Sequence, residues 1–176
     1  MMAELYDDAV RVLSGWRAGE PRDRSLALLD AGPVALTRGY DPGHVTASAL
    51  VVSADLSRVL LCLHGRFHRW VQLGGHVEAG DPSIAAAALR EATEESGIDG
   101  LRLHPEPIDL DIHPVRCAGR DSFHHDVRYA VLAPPDARER VSAESDALGW
   151  FRPDELPTPL ASATEHLIAP ALAAFR

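Results

Sequence analysis

The stretch GGHVEAGDPSIAAAALREATEESGI, Gly74 to Ile98, opens as a glycine-rich loop and closes as a helix loaded with acid. Asp81 followed by Pro82 reads as a helix start, because a carboxylate caps free backbone N–H groups and proline at the first helical position gives up a donor that had no partner. Gly97 reads as the stop. At about 100° per residue, Ile84, Ala85, Ala88, Leu89 and Ala92 share an apolar arc, and Glu91, Glu94 and Glu95 converge on the arc beside it. Arg90 precedes Glu94 by one helical turn and is placed to pair with it. The carboxylates stand in the last turns, where the helix end already repels anions and like charges one turn apart cost roughly a further 0.2–0.5 kcal/mol. A solvated acidic face would not need this conflict, whereas a functional site tolerates it. The natural compensation is a hard divalent cation, which takes carboxylate oxygens and keeps positions for water or phosphate.

These residues resemble the Nudix box. Gly75, Arg90, Glu91, Glu94, Glu95, Gly97 and Ile98 match its pattern by type and order. The first acidic position is Asp81 in place of glutamate, with one residue more than usual before Arg90, so Asp81 is read as the helix cap alone. The resemblance covers about residues 45–175. It implies an α/β fold, the Nudix-type α/β/α sandwich with a mixed sheet, and a MutT-like pyrophosphohydrolase. The implied reaction is metal-dependent cleavage of a diphosphate linkage, in a nucleoside diphosphate linked to another moiety or in a related small phosphate ester. Mg²⁺ is the implied cofactor, with Mn²⁺ as substitute. Glu91, Glu94 and Glu95 are the implied ligands, joined by the Gly74 carbonyl. Glu95 is also a candidate base, and Arg90 orients the carboxylates. Glu144, six residues before Trp150, stands where some members carry a further acidic residue, as base or additional ligand. The alternative is a catalytically silent Nudix module that binds a nucleotide as a sensor, although such a module has no need of three converging carboxylates.

His76, Arg66, Arg69 and Arg128 are candidate phosphate contacts, each with ordinary surface as the plainer alternative. Phe67, His68 and Trp70 could flank a base. His124 and His125 are adjacent on a strand, point to opposite faces and cannot easily serve one ion. The substrate is not legible. No tyrosine occurs between Ile98 and Phe123, where dinucleoside-polyphosphate hydrolases carry one, and nucleoside triphosphates, sugar nucleotides and smaller diphosphates stay open.

The chain has 176 residues, 46% hydrophobic and 24% charged, which suits a globular protein. A formal net charge of −9 disfavours a broad nucleic-acid-binding surface. All 17 basic residues are arginine, which excludes a P-loop or Schiff-base lysine. The lack of both lysine and asparagine suggests a GC-rich, bacterial genome. Cys62 and Cys117 make no disulfide framework. No apolar run is long enough to span a membrane and the start lacks a signal pattern, so the expected location is cytoplasmic.

Helices are expected over residues 3–17 and 25–31, forming a helical extension over 1–43 ahead of a catalytic domain over 44–176. Its possible roles are packing, the default, a lid, or homodimerisation. Strands are expected at 44–53, 58–64, 70–73, 101–113, 122–133 and 148–151. Ser162 and Glu165 form a capping box for a last helix that Pro170 should kink or interrupt.

Overall fold

The computed structural model describes residues 1–117 and 119–176. The chain runs through α1 (Met2–Gly15), α2 (Glu20–Leu29), a 3₁₀ turn (Pro33–Leu36), β1 (His44–Val52), β2 (Val59–His64), β3 (Trp70–Val71) and β4 (Leu73–His76). It continues with α3 (Ile84–Ser96), β5 (Arg102–Leu103), β6 (Asp109–Cys117), β7 (Arg120–Leu132), β8 (Ser145–Phe151) and α4 (Ser162–Ala173).

One mixed sheet organises these elements in the order β3-β2-β1-β7-β5, with β4 on β1, β6 on β7 and β8 on β2. The central β1–β7 pair is parallel, with Ala47 opposite Val127, and its neighbours are antiparallel. Every residue of β1 is buried, because helices cover both faces of the sheet. Val45, Ala47, Ala49 and Val51 face a core shared with α3, α1 and α2, while Leu50 and Val52 meet Leu167 and Leu172 of α4. This is the α/β/α sandwich. The N-terminal helices pack on the sheet face that carries α3, through Leu5, Ala9 and Leu13. Among the described residues no helix is long and apolar enough to cross a membrane.

Several boundaries differ from expectation for local reasons. The strand expected at 101–113 divides into β5 and β6 around Pro105 and Pro107, which have no N–H to give the ladder. α3 starts two residues after Pro82, capped by Ser83, whose Oγ accepts the Ala86 N–H at 3.0 Å. Its stop is as expected, with Gly97 left-handed at φ 66° and its N–H on the Thr93 carbonyl at 2.9 Å. α4 begins after Ala161 without a side-chain cap, so the Ser162–Glu165 capping box does not form, and the helix continues through Pro170.

Candidate active site

The site is built where β4 lies against the last turns of α3. Gly75 faces Glu91 so closely that a methyl group on it would come within 2.8 Å of the Glu91 carboxylate, so only glycine leaves that carboxylate its place. Glu95 is 8% exposed and accepts the Gly74 N–H at 2.9 Å. Burial drives its pKa up to about 7 against the pull of that hydrogen bond, and the charges of Glu91, Glu144 and Glu94 push the same way. Burial raises Glu91 as well, despite its ion pair with Arg90. Glu94 stands at the exposed rim.

Arg90 holds this cluster together. Its Nη1 donates to Glu91 at 2.9 Å and to Glu94 at 3.2 Å, so the expected pairing forms. The rest of the guanidinium reaches back across the loop, with Nη2 donating to the His76 carbonyl at 3.0 Å and to Asp81 Oδ2 at 3.0 Å, and Nε to Asp81 Oδ1 at 2.9 Å. Asp81 is therefore not the helix cap expected from its place before Pro82. It is 6% exposed, clamps Arg90 through both oxygens, and takes the Glu78 N–H at 2.8 Å. The one-residue-longer spacing leaves Ser83 to cap and frees Asp81 for Arg90.

Glu144 lies in the turn before β8, exposed, and its charge reaches both Glu91 and Glu95. The structure thus brings Glu91, Glu94, Glu95 and Arg90 to one place, with Glu144 near enough for its charge to act on Glu91 and Glu95. It separates the other candidates. His76 follows Gly75 on β4 and so points to the opposite face from Glu91. Instead of meeting a phosphate there, its ring packs at 5.1 Å from His44 and 5.3 Å from His124, with Nε2 at 3.6 Å from Cys117 Sγ. Burial and the neighbouring His44 and Arg38 lower its pKa to about 4. Arg128, also expected as a phosphate contact or surface residue, is only 3% exposed. It donates to Asp126 at 2.9 Å, Asp111 at 3.0 Å, Asp109 at 3.4 Å and the Ala163 carbonyl at 3.3 Å, which leaves little of the guanidinium for a ligand. Arg66 is exposed in the β2–β3 loop, its Nη1 at 3.5 Å from the Arg116 carbonyl. His124 and His125 do face opposite ways, His125 toward Ser25 of α2 at 2.8 Å.

A groove of about 360 Å³ opens on the α4 face of the sheet, lined by Phe67, Arg69, Gln72, Asp111, His113 and Thr164. Gln72 stands two residues before the glycine loop and its Oε1 takes the Thr164 hydroxyl at 2.6 Å. The groove also takes in Arg128, which the sequence had marked along with Phe67 and Arg69. Gln72, Asp111 and Thr164 carry no local signal and are assembled from three separate elements. Neither this groove nor a larger cavity, about 490 Å³ beside Asp8, Trp16 and Tyr129, is lined by Glu91, Glu94, Glu95 or Glu144.

A glycine loop packed against a glutamate-rich helix, in a mixed sheet layered between helices, is the arrangement that the resemblance to the Nudix box implied. The sequence model of the NUDIX domain matches residues 42–171, and the chain belongs to the Nudix family. Its fold is similar to that of a NUDIX-family hydrolase from Clostridium perfringens, with 22% identity, a TM-score of 0.59, and 76% of this chain and 98% of that one covered. It is also similar to the dihydroneopterin triphosphate pyrophosphohydrolase of E. coli, with 21% identity, a TM-score of 0.57, and 74% and 93% covered. In sequence it is 37% identical over 94 residues to an octanoyltransferase of Myxococcus xanthus, a match covering 52% of this chain and 24% of that protein. The chain thus spans about a quarter of the length of this curated relative.

Proposed function

We propose that the protein hydrolyses a diphosphate linkage in a small nucleoside diphosphate derivative, with Mg²⁺ as cofactor and Mn²⁺ able to replace it. The observation that carries this reading is the convergence of Glu91, Glu94 and Glu95 on the Gly74–Gly75 loop, with burial and mutual repulsion raising Glu95 to about 7. Such crowding fits a site for a hard divalent cation, since oxygen donors are what Mg²⁺ takes and a positive charge relieves the repulsion. Glu91, Glu94 and Glu95, with the Gly74 carbonyl, would hold the ion, which neutralises charge on the phosphate oxygens when bound.

The chain's own residues do the rest. Arg90, anchored by Asp81 and the His76 carbonyl, fixes the orientation of Glu91 and Glu94. Gly74 N–H fixes one oxygen of Glu95. Glu144, exposed in the turn before β8, comes from a different part of the chain, and it takes the proton of the attacking water or adds a ligand.

The test is a panel of nucleoside triphosphates, sugar nucleotides and smaller diphosphates, with and without Mg²⁺, read as phosphate released after phosphatase coupling. Turnover of at least one compound that stops in excess chelator and returns with Mg²⁺ is expected. Full turnover in chelator, or binding of the panel compounds without any product, contradicts the assignment. The second outcome would indicate a silent nucleotide-binding module.

Glu144→Gln is expected to lower kcat at least about tenfold with KM little changed, the signature of an interaction made mainly in the transition state. Its melting temperature should hold, because exposed substitutions stay within roughly 0.5 kcal/mol. An unchanged kcat in the folded variant removes Glu144 from the site and leaves Glu95 as the base.

A further inference from the structure

We propose that His44, His76, His124 and Cys117 form a second metal site, for one tetrahedral transition-metal ion, with Zn²⁺ the best match. The four residues come from the first position of β1, the last of β4, the body of β7 and the last of β6. Strand register assembles them. His44 lies directly opposite His124 in the parallel β1–β7 pair, and the Thr46–His76 pairing sets His76 diagonal to His44 on the same face. One ligating atom from each residue lies within 4.8 Å of all the others. Cys117 Sγ and His76 Nε2 are 3.6 Å apart, and a tetrahedral ion with bonds of about 2.05 Å to nitrogen and about 2.3 Å to sulfur sets that edge at about 3.6 Å.

Hydrogen bonding points the same way. Five buried side-chain atoms have no hydrogen-bond partner among the described residues, and three of them are His44 Nδ1, His44 Nε2 and His124 Nε2. His44 is 0% exposed, so these nitrogens are shut off from bulk solvent, and one ion would engage one nitrogen of each ring. Buried polar atoms are ordinarily satisfied, and a group left unmade in the interior calls for an explanation. Three imidazoles and a thiol are donors for a borderline ion and a poor set for Mg²⁺, which takes oxygen, so the site is chemically separate from the glutamates.

Binding would turn the Cys117 thiol into a thiolate, its proton leaving to solvent, one per ion bound. The ion would then tie the ends of β1, β4, β6 and β7 together. It would also hold the residue whose carbonyl receives Arg90 Nη2, and so brace the Arg90 clamp from the face opposite the carboxylates.

The test uses the full chain, stripped of metal and titrated with Co²⁺ at neutral pH. With excess Mg²⁺ present to occupy the glutamates, the expected result is one equivalent bound, with the intense visible absorption of tetrahedral cobalt, a thiolate-to-cobalt charge-transfer band, one proton released per ion, and displacement by Zn²⁺. Cys117→Ser should remove the charge-transfer band, and His124→Gln should weaken binding at least about tenfold. The Glu91→Gln/Glu95→Gln double variant should leave both signals unchanged. Because the spectrum is read first on the unmodified chain, the result does not depend on any variant folding. A weak octahedral spectrum without the sulfur band overturns the proposal, as does retention of the signals in folded Cys117→Ser or their loss in the Glu91→Gln/Glu95→Gln protein.

Discussion

Glu95→Gln is expected to reduce kcat by at least about a hundredfold while making the metal-free protein more stable at pH 8. The loss of turnover follows from removing a carboxylate aimed at charge that develops in the transition state. The stability gain follows from the direction of the Glu95 shift. An unfolded chain releases this proton near the ordinary glutamate value of 4.5, the folded chain only at about 7. Between those values the folded state holds more protons, so stability falls as pH rises through that window and stays low above it. The full burden above pH 7 is up to roughly 3 kcal/mol. Glutamine keeps an oxygen for the Gly74 N–H and carries no charge, so the burden is lifted. Denaturant unfolding of both proteins in chelator should show the variant ahead at pH 8 and the difference closing toward pH 4.5. A variant less stable than the parent at pH 8 would show that the Glu95 carboxylate is not held against its own ionisation.

Arg128→Met is expected to destabilise the fold by about 3–5 kcal/mol, the usual cost of stripping one partner from a buried ion pair. Asp126 is 4% exposed and depends on Arg128 Nε at 2.9 Å, Thr46 Oγ1 at 3.0 Å and Ser48 Oγ at 2.7 Å. Without the guanidinium, two hydroxyls remain for a buried carboxylate, and Asp111 and Asp109 lose the cation that lets three acids share one patch. For a chain of this size the loss corresponds to a fall in Tm of roughly 10 °C. Arg128→Lys should fall between, since a single ammonium keeps the charge but cannot fork to several carboxylates. Melting curves and KM, measured together, separate this scaffold role from the phosphate contact expected from sequence. A Tm that holds while KM rises severalfold would restore Arg128 to the substrate.

The legible part of this protein was the part written in local spacing. Arg90 and Glu94 stand one turn apart, and their ion pair forms at 3.2 Å. Gly97 ends α3 because its left-handed φ of 66° suits a residue without a Cβ. The strand expected over 44–53 forms as β1, and the helices on both faces of the sheet bury it. The adjacent His124 and His125 had to point apart, and they do. Even close to the box, however, local rules stopped short. Asp81 sits where a cap belongs, and nothing in the sequence said that Arg90 would reach back nine positions to claim both its oxygens.

Everything that depends on two distant strands lying side by side was decided by tertiary structure alone. The parallel register of β1 with β7 places Thr46 opposite Asp126 and His44 opposite His124, across a separation of 80 residues in both pairs. A shift of one residue in that register would turn each side chain to the other face, dissolving both the Arg128 network and the histidine–cysteine cluster. The turn carrying Glu144 reaches Glu95 only because β8 pairs with β2. The sequence by itself determined the glutamate-rich helix, its glycine loop and its charges, because those rest on interactions within a few residues of chain. Strand register is set by how the whole apolar set packs between the helices, and no local stretch contains that sum.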